Sequence, residues 1–153
     1  MISAILVTLN EETNLEECLK SIKNKVDEIV VVDLGSTDDS LKIAKRNGAK
    51  IFRHQKVDYV EKIREFAISK TLGDWVLILD PDERINITLW NELKKVVKDD
   101  KYLAVNIPRK NIFFNKWISH TNWWPDYQIR FFKKGYVKWS QEIHSYPKVK
   151  GRL

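Results

Sequence analysis

Three carboxylates within four residues, Asp80, Asp82 and Glu83, are the first place in the 153-residue chain where chemistry could be done. Two carboxylates one residue apart can approach a single cation from a turn, and a hard divalent cation takes oxygen ligands. A cation held there could in turn hold a diphosphate. The same residues, Asp80-Pro81-Asp82-Glu83, also read as a helix start, with Asp as cap, Pro in the first position and Glu three beyond the cap. Residue types alone leave both readings open. An EF-hand loop is ruled out, because its glycine and late bidentate Glu are missing.

Other polar residues fall at comparable places. Asn10, Glu12 and Asp33 each follow or end an apolar run. An acidic group such as Asp33 suits a base N–H or a ribose hydroxyl. The stretch from Asp33 to Asp38 has one glycine, so it is neither a dinucleotide fingerprint nor a phosphate loop. Arg64 could clamp a phosphate through its planar fork, although an exposed helical arginine is the simpler reading. In Trp123-Trp124-Pro125-Asp126-Tyr127-Gln128-Ile129-Arg130, a lone carboxylate sits among aromatics. Aromatic faces stack on sugar rings, and a carboxylate there could serve as general base; a surface Asp beside core aromatics is the plainer alternative. His54, His120 and His144 lack zinc spacing, and no serine nucleophile elbow is present.

The elements that must position these groups follow from apolar patterning. Ile2 to Val7, Glu28 to Asp33, Lys50 to Arg53 and Trp75 to Leu79 read as strands, largely buried. Helical spacing follows Glu12, with Asn14 or Thr13 as cap, then runs from about Asp38 to Arg46, from Val60 to Leu72 and from Thr88 to Val97. Strands alternating with helices predict βαβ units and a mostly parallel sheet with helices flanking it. Asn10, Glu12, Asp33 and Asp80 then share the rim at the strands' carboxyl ends, where such sheets bind ligands. After Asp100 the pattern changes to short strands, Tyr102 to Ile107, Gln128 to Lys133 and Tyr136 to Trp139, with Lys134-Gly135 as a tight turn between the last two. This predicts a short antiparallel extension.

Bulk properties fit one domain. Residues 1–100 carry 16 Lys/Arg against 19 Asp/Glu, whereas residues 101–153 carry 11 against Asp126 and Glu142 only. A basic, aromatic segment on a slightly acidic body favours an anionic partner, either phosphate or an acidic membrane surface. One cysteine, Cys18, excludes an intrachain disulfide and fits a reducing compartment; its helical surroundings make it a core residue. No apolar run reaches the roughly 20 residues of a membrane span, and the N-terminus is not patterned as a signal peptide. The expected location is the cytoplasm, with the inner face of the membrane as a further candidate.

Together these residues resemble the family 2 glycosyltransferases of the GT-A fold, and most closely the lipooligosaccharide β-1,4-glucosyltransferase branch. The resemblance rests on Thr8-Leu9-Asn10-Glu11-Glu12, Val32 to Asp38, Arg64 with Gly73-Asp74-Trp75, Asp80-Pro81-Asp82-Glu83, and Pro125 to Arg130. It implies that Thr8, Leu9, Asn10, Glu12, Asp33 and Ser36 hold the nucleoside, with Arg64 near the base or diphosphate. Asp80 and Asp82 become the DxD pair, meeting the diphosphate and its Mg²⁺ or Mn²⁺. Asp126 is the implied base and Glu142 the second choice. The implied reaction is inverting transfer from a nucleotide-diphospho-sugar, with UDP expected, to a glycan or lipid-linked acceptor in cell-surface glycan synthesis. Residues 1–100 would form the donor half and 101–153 the acceptor half. Leu9 stands where many relatives have an aromatic and Leu34 where many have a second Asp, and the branch continues well past Leu153. A non-catalytic nucleotide-sugar or glycan-binding module is the competing expectation. Nucleic acid is disfavoured as a partner, because acids cluster where the nucleotide crevice should be.

Overall fold

The structure, a computed structural model, describes residues 1–120, 123–139 and 146–151. In chain order the elements are β1 (Ile2–Thr8), α1 (Glu12–Ile22), β2 (Glu28–Asp33), α2 (Ser40–Arg46), β3 (Lys50–Arg53), α3 (Glu61–Ser69), β4 (Trp75–Leu79), α4 (Ile87–Asp99), β5 (Ala104–Arg109), β6 (Ile112–Phe113), β7 (Lys116–Trp117), β8 (Asp126–Lys133), β9 (Val137–Lys138) and β10 (Lys148–Val149). Six strands form one sheet in the order β3-β2-β1-β4-β8-β5. The first four are parallel, and β8 runs antiparallel to both β4 and β5. The parallel core with an antiparallel edge is the expected α/β, GT-A-like architecture.

Both faces of the sheet are covered, which is why its central strands are apolar throughout. On one face Leu15, Leu19 and Ile22 of α1, Ile43 and Ala44 of α2, and Trp90 and Leu93 of α4 pack on Leu6, Val31, Leu77 and Phe131. Trp75 stacks on Phe131 at 4.8 Å between ring centroids. On the other face Ile63, Ala67 and Ile68 of α3 join Val137 and Trp139 over Ile5, Val32, Val76 and Phe132. Gly73 lets the chain enter β4 tightly against β1. A Cβ there would lie 2.6 Å from Ser3 Oγ, the atom that accepts the Gly73 N–H.

Several local expectations are corrected. Residues 80–83 form a turn and no helix follows them; α4 starts at Ile87, where Asn86 Oδ1 accepts the Leu89 N–H. Neither Thr13 nor Asn14 caps α1, which begins earlier, at Glu12. The third helix stops at Ser69, so Leu72 lies outside it and is exposed. The turn at Lys134-Gly135 is present, but β9 pairs with β10 instead of folding back on β8.

Candidate active site

Along the sheet the strand order reverses between β1 and β4: the chain moves from β1 outward to β3, then returns through α3 to place β4 on the other side of β1. The loops leaving two such strands diverge, and the crevice between them is the usual ligand site of an open α/β sheet. A cleft of about 420 Å³ lies there, with Thr8, Leu9 and Leu34 on one wall, Asp80 and Asp82 on another, and Tyr59 beside them. That volume is within the range of small-ligand sites, roughly 300–1,000 Å³. Thr8 Oγ1 is buried and has no hydrogen-bond partner among the described residues. A buried, unpaired hydroxyl at a cleft wall is a group for which a ligand atom supplies the missing partner.

Not all of the sequence-predicted nucleoside contacts face this cleft. Thr8, Leu9 and Asp80 line it, whereas Asn10, Glu12, Asp33 and Ser36 are drawn into the two loops that frame it. Asn10, in the left-handed region at φ 56°, accepts the Thr37 N–H through Oδ1 at 2.8 Å, and Ser36 Oγ accepts the Asn10 N–H at 3.0 Å. Asp33 accepts the N–H groups of Gly35 and Ser36, both at 3.1 Å. Glu12 accepts the Asp39 N–H, and Asp38 accepts those of Glu12 and Ser40. These bonds satisfy backbone donors that a solvent-facing loop would otherwise leave to water, so they fix the cleft wall. Asp38 in this way ties the two loops together.

The opposite wall is a chain of alternating charges. Asp80 and Glu83 close a turn reciprocally: the Glu83 N–H donates to Asp80 O at 2.9 Å, and Glu83 Oε2 accepts the Asp80 N–H at 3.0 Å. The first is the backbone bond of a tight turn and the second is the side-chain half of a capping box; the Asp80 carboxylate, which would make the other half, faces Arg130 and Arg64 instead. Arg130 Nη2 then donates to Asp80 Oδ2 at 2.5 Å and to Glu83 Oε1 at 2.8 Å. Arg64, read from sequence as most simply exposed, is instead buried, with Nη2 3.7 Å from Asp80 Oδ1 and its guanidinium over the Trp139 ring at 4.7 Å. Burial, then the Arg130 charge, lowers the Arg64 guanidinium from its usual range. Burial acts the same way on Arg130, but Asp80 and Glu83 outweigh it and hold that group above its usual range. Burial pushes the Glu83 carboxyl above the ordinary carboxylate range, against the pull of Arg130. Cys18, whose Sγ lies 3.6 Å from Asp80 O, has its thiol pushed up to about 12 by burial, so it is a packed, unreactive core residue.

The charge chain continues outward. Arg109 Nη1 lies 3.7 Å from Glu83 Oε1, and Arg109 Nη2 and Nε reach Asp126 Oδ2 at 2.7 and 2.9 Å. Gln128 and Asn111 also donate to Asp126, at 2.8 and 3.3 Å. Burial would raise the Asp126 carboxyl, but these hydrogen bonds and the Arg109 charge hold it below the usual carboxylate range. Glu142, the alternative base, lies outside the described residues.

Arg130, Arg109 and Glu83 carry much of the geometry; sequence reasoning assigned the two arginines no role and read Glu83 as one of a carboxylate cluster or a helix-start residue. A signal existed for one of them. Between Val105 and Asn106 the β5–β8 register slips, with Val105 opposite Phe131 and Asn106 opposite Ile129, so Arg130 is the extra residue of a bulge. Bulges next to functional sites re-aim a side chain. The sequence shows the consequence, because apolar Ile129 and Phe132 are three apart instead of two and yet share one core cluster.

Asp80 and Asp82 offer hard oxygen donors of the type Mg²⁺ or Mn²⁺ takes. Asp82 is exposed, while both Asp80 oxygens already face guanidinium groups. Among the described residues, no group of three or more His, Cys, Asp or Glu is placed to hold a metal ion. Asp82 is thus the carboxylate of the pair that is open to a cation, and a cation there would need further ligands from water or phosphate.

The model of Glycosyl transferase family 2 matches residues 3–148. The chain belongs to this family. An uncharacterized glycosyltransferase of Rickettsia conorii is 39% identical over 109 residues, which are 69% of this chain and 38% of that protein. The chain thus spans well under half the length of the curated relatives it matches first. Among solved structures, S. aureus TarS superposes with a TM-score of 0.60 at 24% identity, over 86% of this chain and 46% of TarS, and shares the fold. M. tuberculosis glucosyl-3-phosphoglycerate synthase gives 0.57 at 26% identity, covering 68% of this chain and 43% of the synthase. Among the described residues, no helix of this family member is long and apolar enough to cross a membrane.

Proposed function

We propose that the chain is the donor-binding and catalytic part of an inverting, metal-dependent glycosyltransferase that moves a hexose from a UDP-sugar to a hydroxyl acceptor of a cell-surface glycan or lipopolysaccharide. The observation that carries this reading is the cleft between β1 and β4, with Asp80 and Asp82 on its wall, in a chain of this family. The nucleoside lies along Thr8 and Leu9. Tyr59 is the aromatic surface at the cleft available for stacking on the base, a part that Leu9 cannot take. Asp82 and Asp80 hold Mg²⁺ or Mn²⁺, which when bound offsets negative charge on the departing diphosphate. Arg64 and Arg130, fixed beside Asp80, add positive charge on the same side. Asp126 takes the acceptor proton as the hydroxyl attacks the anomeric carbon from the face opposite the nucleotide; Glu142 is the second candidate for that proton. The order and spacing of the motifs support the lipooligosaccharide β-1,4-glucosyltransferase branch, and the work is proposed to take place in the cytoplasm, at the inner face of the membrane.

Release of UDP from a panel of UDP-hexoses tests this, with Mn²⁺ or Mg²⁺ and a range of sugar acceptors. Metal-dependent turnover that is abolished in Asp82→Ala supports the reading. A folded chain that neither transfers nor hydrolyses any donor refutes catalysis. A second reading, a non-catalytic nucleotide-sugar or glycan-binding module, is favoured by Asp126 itself. Its carboxylate is saturated by Arg109, Gln128 and Asn111 and held low, which makes it a weak base. Donor binding without turnover selects that reading.

A further inference from the structure

The β6–β7 hairpin carries apolar side chains on both faces, and Trp117 meets the Trp124 ring edge to face at 5.3 Å. Ile112 pairs with Trp117 across one face and Phe113 pairs with Lys116 on the other. Ile112, Phe113 and Phe114 are 64%, 58% and 86% exposed, and Trp117 is exposed as well. The tip is built at a cost. Phe114 and Asn115 both have positive φ, 47° and 58°. Asn-Gly is the usual choice for such a two-residue turn, and a bulky side chain in the left-handed region is an outlier. Strain of this kind points to a use for the side chain it exposes. Phe113 and Phe114 meet edge to face at 4.5 Å, forming one apolar tip. Behind the tip stand Lys110, whose ammonium sits 4.6 Å over the Trp117 ring, and Lys116. From Arg109 to Pro125 every charged side chain is positive.

We infer that this hairpin is a membrane-docking wedge that inserts Phe113 and Phe114 at the headgroup boundary of an anionic lipid bilayer, with Lys110 and Lys116 facing the lipid phosphates. The chemistry favours a bilayer over a protein partner. Aromatic and apolar side chains backed by lysines suit the lipid interface and its negative surface potential, whereas lysine is depleted in protein–protein interfaces. The two phenylalanines stand exposed at the tip, and a fluid surface needs no complementary pocket to receive them. The wedge is tied to the candidate site. Asn111, at its base, accepts the Ile118 N–H through its carbonyl and donates through its side chain to Trp123 O and to Asp126. Docking would therefore set Asp126 close to the membrane plane, where a lipid-linked acceptor presents its hydroxyl. This purpose rests on the proposed glycosyl transfer; lipid binding itself does not.

The test is co-sedimentation of the full chain with vesicles of phosphatidylcholine alone or with 30% phosphatidylglycerol, at low and high salt, with no donor or acceptor present. The expected result is binding to the anionic vesicles that weakens with salt. Phe113→Ser/Phe114→Ser should weaken it about tenfold or more, the scale of removing buried apolar groups from an interface. Lys110→Glu/Lys116→Glu should abolish the preference for the anionic lipid. All four side chains lie on the hairpin away from both cores, so thermal melting should match wild type and exclude misfolding as the cause. The inference is overturned if the wild-type chain ignores anionic vesicles, or binds them equally well without the two phenylalanines. It is also overturned if the phenylalanines instead hold two copies of the chain together, seen as a dimer on gel filtration that the double substitution dissolves without any vesicle binding. UDP binding measured without lipid reports on the proposed function alone, so the two readings fail separately.

Discussion

Replacing Arg130 by methionine tests the charged wall of the cleft. The side chain is 9% exposed and bridges Asp80, 34% exposed, and Glu83, 15% exposed. Removing one partner of a buried ion pair strands the other and costs about 3–5 kcal/mol. Asp80 reaches solvent and has Arg64 nearby, so its share is small; Glu83, more buried, keeps only Arg109 at 3.7 Å as a cationic partner and carries most of the cost. About 3 kcal/mol is therefore expected. With a urea m-value of about 2 kcal/mol/M, the unfolding midpoint should fall by about 1.5 M. Glu83→Gln in the same background should recover about 1–3 kcal/mol as coupling, because it neutralises the stranded charge. The pH dependence follows from the sign of the shift. Burial already raises the Glu83 carboxyl, and losing Arg130 raises it further. An acid whose folded pKa lies above its unfolded value weakens the fold above that folded pKa. The deficit of Arg130→Met should then shrink as pH falls from the raised value toward the ordinary ~4.3. Urea denaturation of the two single variants and the double variant between pH 4 and 8 measures all of this. A cost within about 0.5 kcal/mol of zero, the range of an ordinary surface substitution, or one that Glu83→Gln leaves unchanged, refutes the reasoning.

Asp126→Asn should cost about 1–2 kcal/mol at pH 7, as loss of charge-assisted hydrogen bonds to a partly exposed arginine. Because the folded carboxyl lies below its usual range, its contribution is full above the unfolded value of ~3.9 and is lost as pH falls through the depressed one, so the gap between wild type and variant closes there; acid titration of stability checks it. Cys18 should resist a thiol reagent at pH 8 in the native protein and react fully in denaturant, since its thiol is buried and pushed up to about 12. Gly73→Ala should cost about 1–3 kcal/mol, the usual scale of overpacking, because the new methyl meets Ser3 Oγ and the Met1 carbonyl; thermal melting reads it.

The parallel half of the fold was legible because β1 and β4 are apolar runs and β2 and β3 have apolar centres between charged ends. Lys50–Arg53 and Trp75–Leu79 fall where the apolar runs place them. The rim was legible too, since polar residues directly follow those runs. What periodicity could not convey was the use made of each polar side chain. Asn10, Asp33 and Ser36 have the types of ligand-binding groups, but most of their hydrogen bonds go to the loops. Asp80-Pro81-Asp82-Glu83 carries a capping-box pattern, but only the Glu83 side chain makes its capping bond, because the Asp80 carboxylate is taken by Arg130 and Arg64. Arg130 escaped notice because a bulge breaks the two-residue alternation that would have marked its face. Long-range ion pairs such as Arg130–Asp80 join residues 50 apart and leave no local trace.

The central claim is that Asp80 and Asp82 make the cleft between β1 and β4 a metal-assisted diphosphate site. Calorimetric titration of UDP, with and without Mn²⁺, against the wild-type chain and Asp82→Ala tests it most directly. Asp82 is exposed, so its replacement should leave stability within about 0.5 kcal/mol of wild type, as for an ordinary surface substitution. UDP should bind only when the metal is present, and Asp82→Ala should remove the metal-dependent binding. Binding of equal strength without metal, or in the folded Asp82→Ala variant, would contradict it.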